Sequence, residues 1–108
     1  MVDEKILADI KHEIAGNTII LFVKGTKDEP RCGFSARAIA VFKELGKPFK
    51  VVDVLPDPRI RETLQAHSNW PTIPQVFIKG KFIGGSDIVL EMHQAGELQT
   101  LVEDAFKA

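Results

Sequence analysis

Residues 18–23 read Thr-Ile-Ile-Leu-Phe-Val, an unbroken apolar, β-branched run lying between two stretches of helical periodicity. A run this short and this apolar is a strand covered on both faces, as in the centre of a parallel sheet. Before it, residues 3–15 set Ile6, Leu7, Ile10 and Ile14 on one helical stripe; Asp3 caps the start, and Gly16 and Asn17 stop the helix. After it come a polar loop, residues 24–31, and a second helical pattern from Ser35 that turns Ile39, Phe42 and Leu45 inward and ends at Gly46 with Pro48 beyond. A buried strand with helices on either side in sequence belongs to an α/β sheet, and the rest of the chain has to complete that sheet.

Residues 49–54 alternate enough for a second strand, nearer the sheet's edge. Asp57 and Pro58 are a cap and a first-turn proline, so a short helix runs to about His67. Trp70-Pro71-Thr72-Ile73-Pro74 places two prolines in a tight connection that permits neither helix nor central strand. Residues 75–78 and 81–83 form a hairpin through Lys79 and Gly80. Beyond Gly84 and Gly85, Ser86 or Asp87 caps a helix carrying Ile88, Val89, Leu90 and Met92. A last helix follows Gly96, with Leu98, Leu101, Val102 and Phe106 inward. The order α β α β α β β α α predicts an α/β fold whose four-stranded mixed sheet is flanked by helices on both faces.

With 108 residues, 44% of them hydrophobic, the chain is expected to form one domain over 1–108 with a core that needs no disulfide or structural metal. A single cysteine excludes a disulfide within the chain and suits a reducing compartment. Fourteen basic against fifteen acidic residues create no field for nucleic acid or an acidic membrane. No run has the length of a membrane span, and the first 16 residues carry charge throughout rather than a signal-peptide core. The expected location is the cytoplasm, or an organellar matrix if a transit segment is removed. His12, His67 and His93 show no metal spacing and are read as ordinary helix or surface residues.

The richest stretch is Arg31-Cys32-Gly33-Phe34-Ser35, where the loop hands over to a helix. A thiol there meets unpaired backbone N–H groups and the positive end of the helix dipole, which favour thiolate, and Lys24 and Arg31 act in the same sense. The alternative is the usual fate of a lone cysteine, burial as an inert core residue. A second cysteine three residues on would make a dithiol motif; Ser35 stands there, and its hydroxyl cannot resolve a mixed disulfide.

Cys32-Gly33-Phe34-Ser35 resembles the signature of the monothiol glutaredoxins. Lys24-Gly25-Thr26, Ile60-Arg61, Trp70-Pro71-Thr72-Ile73-Pro74 and Gly84-Gly85-Ser86-Asp87 match the same family in the same order, as does the long loop before Cys32. The resemblance covers nearly the whole chain and implies the thioredoxin fold. It implies that glutathione binds beside Cys32, with Lys24 and Arg61 taking its glycine-end carboxylate and the Ser86 and Asp87 N–H groups the other. Asp87 would meet the ammonium group. The Ile73-Pro74 bond would be cis and the Ile73 backbone would pair with the tripeptide as an added strand does. Gly33, Phe34, Thr72, Pro74 and Gly85 complete the implied binding set, with Phe34 shielding the sulfur.

The resemblance also implies a two-iron, two-sulfur cluster with Cys32 as its protein ligand. Such a cluster needs about four ligands, which close if two chains and two glutathiones supply them around a two-fold axis. That makes a homodimer when loaded, a monomer otherwise, and a carrier handing clusters to apoproteins. Two other functions fit the same residues. One is a glutathione-dependent thiol–disulfide oxidoreductase that removes glutathione from proteins, expected to be weak because of the long loop. The other is an adaptor that only docks partners. Ser86 stands where some members carry a second cysteine, so Cys32 has no alternative disulfide partner.

Overall fold

The computed structural model describes residues 2–107. Helix α1 (Glu4–Gly16) opens on Asp3, whose Oδ1 accepts from the Ile6 N–H at 3.0 Å. Gly16 is the last helical residue rather than the stop, and Asn17 returns the chain to extended backbone. Strand β1 (Ile19–Val23) is buried along its whole length. Helix α2 (Gly33–Leu45) ends on Gly46 in the left-handed region, and β2 (Lys50–Asp53) follows. Helix α3 (Pro58–Ser68) starts at the Asp57 cap, whose side chain accepts from the Arg59 N–H at 3.0 Å. Strands β3 (Gln75–Ile78) and β4 (Lys81–Gly84) turn through Lys79 and Gly80, both at positive φ. Helices α4 (Ser86–Gln94) and α5 (Glu97–Ala105) complete the fold.

The expected four-stranded mixed sheet is present, in the order β2-β1-β3-β4, with β1 parallel to β2 and antiparallel to β3. Alternation along β1 divides the core. Ile19, Leu21 and Val23 pack with Ile39, Phe42, Val89, Leu98 and Val102 from α2, α4 and α5. Ile20 and Phe22 pack with Ile10, Ile14 and Leu64 from α1 and α3. Both faces of the sheet are therefore covered, and each strand residue is committed to one layer.

The pairing also decides where the loops emerge. Val23 lies opposite Asp53, Phe22 opposite Gln75 and Val76 opposite Gly84. The ends of β1, β2 and β4 and the start of β3 thus share one edge of the sheet. The segments that leave this edge are residues 24–31, 54–57 and 70–74 together with Gly85.

Two helix starts differ from the sequence expectation. Helix α2 begins at Gly33, before Ser35, because Cys32 has extended backbone (φ −144°, ψ 135°) and is itself the N-cap. Neither Ser86 nor Asp87 caps α4; Gly85 holds the cap position without a side chain, leaving those two residues inside the first turn. Gly84 at φ 151° makes this possible, since a β-carbon there would lie 2.8 Å from the Ile88 side chain.

Candidate functional site

Cys32 is half-buried at the N-terminus of α2. Its side chain closes no cap hydrogen bond with the first turn of α2, yet the environment holds the thiol below its ordinary range. The Ser35 N–H is the main cause; the Phe34 N–H, the charge of Lys24 and the Ser35 hydroxyl act in the same direction, while partial burial opposes them. Arg31, expected to help, is exposed and is not among these influences. The inert-core reading of the cysteine is excluded by its position at the rim.

The loop before Cys32 is closed on itself. The Arg31 N–H donates to the Lys24 carbonyl at 2.9 Å and the Thr26 N–H to the Glu29 carbonyl at 3.1 Å. Gly25, at φ 100°, sits inside this pinch; a β-carbon there would lie 2.5 Å from the Glu29 carbonyl oxygen and 2.6 Å from the Arg31 nitrogen. Only glycine fits that space. Asp53, at the end of β2, accepts from the Gly25 N–H at 3.0 Å and the Leu55 N–H at 2.9 Å. Ser35 Oγ, fully buried, accepts from the Lys24 N–H at 3.1 Å. The backbone of Lys24 is thereby fixed against the turn that carries the thiol.

A groove of about 400 Å³ runs from Cys32 along this edge, lined by Lys24, Phe34, Arg61, Trp70 and Thr72, then by Ile73, Pro74, Gly85, Ser86, Asp87 and Ile88. Of the residues that the resemblance implied for binding glutathione, only Gly33 is absent from its wall; it is the exposed first residue of α2. Phe34 is 52% exposed beside the sulfur, with the Arg37 guanidinium 5.4 Å from its ring centre. The Ile73-Pro74 bond is cis. Gly85 allows α4 to close on this segment, since a β-carbon there would be 3.3 Å from the Pro74 carbonyl oxygen. Among the described residues, the side chains of Lys24, Arg61 and Asp87 have no ion-pair or hydrogen-bond partner. The groove therefore joins a thiolate-favouring sulfur, two free cations and a helix N-terminus.

Trp70, quoted in the sequence only as part of the proline-rich connection, and Ile88, placed only on the helix after Asp87, also wall the groove. Sequence reasoning passed over Asp53 and Gln75, whose side chains hold backbone rather than ligand. The signal available for Gln75 was a polar residue in an otherwise apolar strand. His93 meets Glu44 at 3.1 Å and His67 stacks on Phe77, so neither belongs to the site. Among the described residues no group of His, Cys, Asp and Glu is arranged to hold a metal unaided, and no helix is long and apolar enough to cross a membrane.

A glutaredoxin family model matches residues 19–83. Monothiol glutaredoxin-S4, mitochondrial, of Oryza sativa subsp. japonica is 47% identical over 88% of this chain, which spans 51% of that protein's length. Glutaredoxin 4 of Pasteurella multocida is 49% identical over 91% of this chain and 90% of its own. Among solved structures, reduced apo GrxS14 of poplar superposes with a TM-score of 0.81 at 42% identity, covering 91% of this chain and 90% of that one. The buckwheat glutaredoxin–glutathione complex gives 0.84 at 27% identity, with 94% and 91% covered. The holo form of glutaredoxin C1 from Populus tremula x tremuloides gives 0.86 at 30%, with 97% and 93% covered.

Proposed function

This chain belongs to the glutaredoxin family, among its monothiol members, and on that premise we propose that it binds glutathione beside Cys32 and carries a two-iron, two-sulfur cluster between two copies of itself. The observation that carries the reading is the meeting, in one groove, of the sole cysteine with two unpaired cations and the first turn of α4. Glutathione is a tripeptide with a carboxylate at each end and a thiol between. Lys24 and Arg61 bind the glycine-end carboxylate. The Ser86 and Asp87 N–H groups bind the other carboxylate, and the Asp87 side chain binds the ammonium. Ile73 pairs its backbone with the peptide, between Thr72 and Pro74, while Gly85 leaves the ligand room to lie against α4. Phe34 and Gly33 cover the outer side of the two sulfurs. A relative whose structure is a glutathione complex supports this pose.

The donor set suits a shared cluster. A metal-bound thiol must be deprotonated, and Cys32 is held toward that state at an accessible rim. One chain offers one sulfur, so a second copy and two glutathiones complete about four ligands. When bound, the cluster supplies an exchangeable iron–sulfur unit for delivery to apoproteins. Unloaded, the chain is a monomer; its place is the cytoplasm, although a relative's name reads mitochondrial.

The same lowered thiol supports a second, weaker activity. The Cys32 thiolate attacks the glutathione sulfur of a protein–glutathione disulfide, and the protein leaves as its thiolate. A second glutathione thiolate then attacks that sulfur, releasing glutathione disulfide and restoring Cys32. Ser35 takes no part in either exchange.

Reconstitution without oxygen, using iron, sulfide and glutathione, tests the carrier reading. The protein should turn brown and elute as a dimer, and Cys32→Ser should remain colourless, monomeric and inactive on a glutathione mixed disulfide. A colourless monomer from the unaltered chain refutes it.

A further inference from the structure

Four residues of the 70–74 connection, Trp70, Thr72, Ile73 and Pro74, line the groove, yet no backbone–backbone hydrogen bond holds residues 70–73 among the described residues. Side chains hold them instead. Gln75 Nε2 donates to the Trp70 carbonyl at 3.1 Å and to the Thr72 carbonyl at 3.2 Å. Gln65, on α3, donates to the Pro71 carbonyl that lies between them. Three successive carbonyls are thus taken by two glutamine amides. Gln75 is 0% exposed in a strand otherwise made of Val76, Phe77 and Ile78, and its Oε1 is buried without a partner. Burying an amide with an unsatisfied oxygen is unfavourable, and a leucine would fill that place in the core more cheaply. What leucine cannot do is donate two hydrogens to the connection.

We infer that Gln75 and Gln65 are positioning residues for glutathione, clamping residues 70–72 so that Thr72, Ile73 and Pro74 stand ready to pair with the tripeptide. The inference rests on the glutathione reading above. Neither glutamine lines the groove. Preorganisation of a binding edge shows in affinity, because an unclamped segment has to be ordered by the ligand itself.

The test uses the intact, unloaded chain with Gln75→Leu and, because Gln65 lies outside the core, Gln65→Ala as a variant whose folding is not at risk. Titration calorimetry with reduced glutathione should show affinity falling about tenfold in Gln75→Leu, the scale of losing a buried donor, and by less in Gln65→Ala. Alkylation of Cys32 by iodoacetamide should keep its rate, since α2 is not held by the clamp. Trp70, the sole tryptophan, reports the segment directly, and its emission should shift to the red in both variants. Unchanged affinity with unchanged emission in both variants overturns the inference, even if the melting temperature falls. Should the unaltered chain bind no glutathione, the preceding reading fails, and the emission of Trp70 alone decides whether the clamp exists.

Discussion

The groove between α1 and α3 has a volume of about 380 Å³ and the groove beside Cys32 about 400 Å³, so size does not distinguish them. Their charges do. Around the α1–α3 groove every charged rim residue is paired: Lys5 with Asp9 at 3.5 Å, Glu13 with Lys50 at 2.6 Å, and Arg59 with Asp57 at 2.8 Å and Asp3 at 3.4 Å. Beside Cys32, Lys24, Arg61 and Asp87 face the groove without partners among the described residues. Paired rim charges are already satisfied and hold the surface together, whereas unpaired ones gathered around a nucleophile are free to recognise a ligand. A groove becomes a site through the charges it leaves open.

The largest effect that would break this contrast concerns those open charges. Lys24→Gln and Arg61→Gln should each weaken glutathione binding about tenfold, and together about a hundredfold if the two act independently, because each removes a charge-assisted hydrogen bond. Arg59→Gln, in the other groove, should leave the affinity unchanged. Calorimetry on the four proteins checks this, and equal losses from Arg59→Gln and Arg61→Gln would end the distinction.

Next comes the loop that delivers Lys24. Gly25→Ala forces a β-carbon into the space between the Glu29 carbonyl and the Arg31 nitrogen at a φ of 100°. It should cost about 2 kcal/mol in thermal unfolding, the scale of a strained backbone position. It should also weaken glutathione binding, because the loop opens and carries Lys24 away. Gly16→Ala lies where a β-carbon meets nothing within 4 Å and should do neither.

The two grooves show where sequence reading reaches and where it stops. The sheet was legible because β1, β2 and β3 announce themselves in apolar runs whose alternation survives into two separate layers, and because Gly46, Asp57 and Pro58 mark helix ends by local chemistry. The helix starts at Gly33 and Ser86 were misplaced by a residue or two, since extended backbone at Cys32 and Gly85 gives no compositional sign. Cys32 and Lys24 could be picked out from local chemistry, and Arg61 and Asp87 through the family resemblance, but their convergence depends on strand register. The roles of Asp53, Ser35 and Gln75 were hidden for a different reason. Each acts on backbone atoms, 28 residues away for Asp53, 11 for Ser35, and three and five for Gln75, and side-chain-to-backbone bonds leave no pattern in residue type.

The pH response of Cys32 sharpens the contrast further. Its thiol is held below the ordinary range, so the alkylation rate should reach half its maximum at lower pH in the folded chain than in the same chain unfolded in denaturant. Because the folded value is depressed, the thiolate contributes stability above the unfolded thiol's pKa, and that contribution is lost as pH falls through the folded value. Lys24→Gln should move the folded midpoint part of the way back. Coincident folded and unfolded midpoints would remove the electrostatic basis of the site.

The smallest effect belongs to the closed groove. Glu13 is held below the usual carboxylate range, chiefly by its hydrogen bond from Lys50 and by that residue's charge, with burial opposing. The depressed value means that the pair stabilises the fold above the unfolded carboxyl's pKa and stops doing so as pH falls through the folded one. Both partners are substantially exposed, at 36% for Glu13 and 44% for Lys50, so solvent screening leaves about a few tenths of a kcal/mol. Glu13→Gln should therefore lower the melting temperature slightly at neutral pH, not at all in acid, and less at high salt than at low. Glutathione binding should not respond at any pH. A change in affinity from Glu13→Gln would mean that paired rim charges reach the other groove through the sheet, and the separation between a surface that is held together and a surface that is left open would no longer explain which groove works.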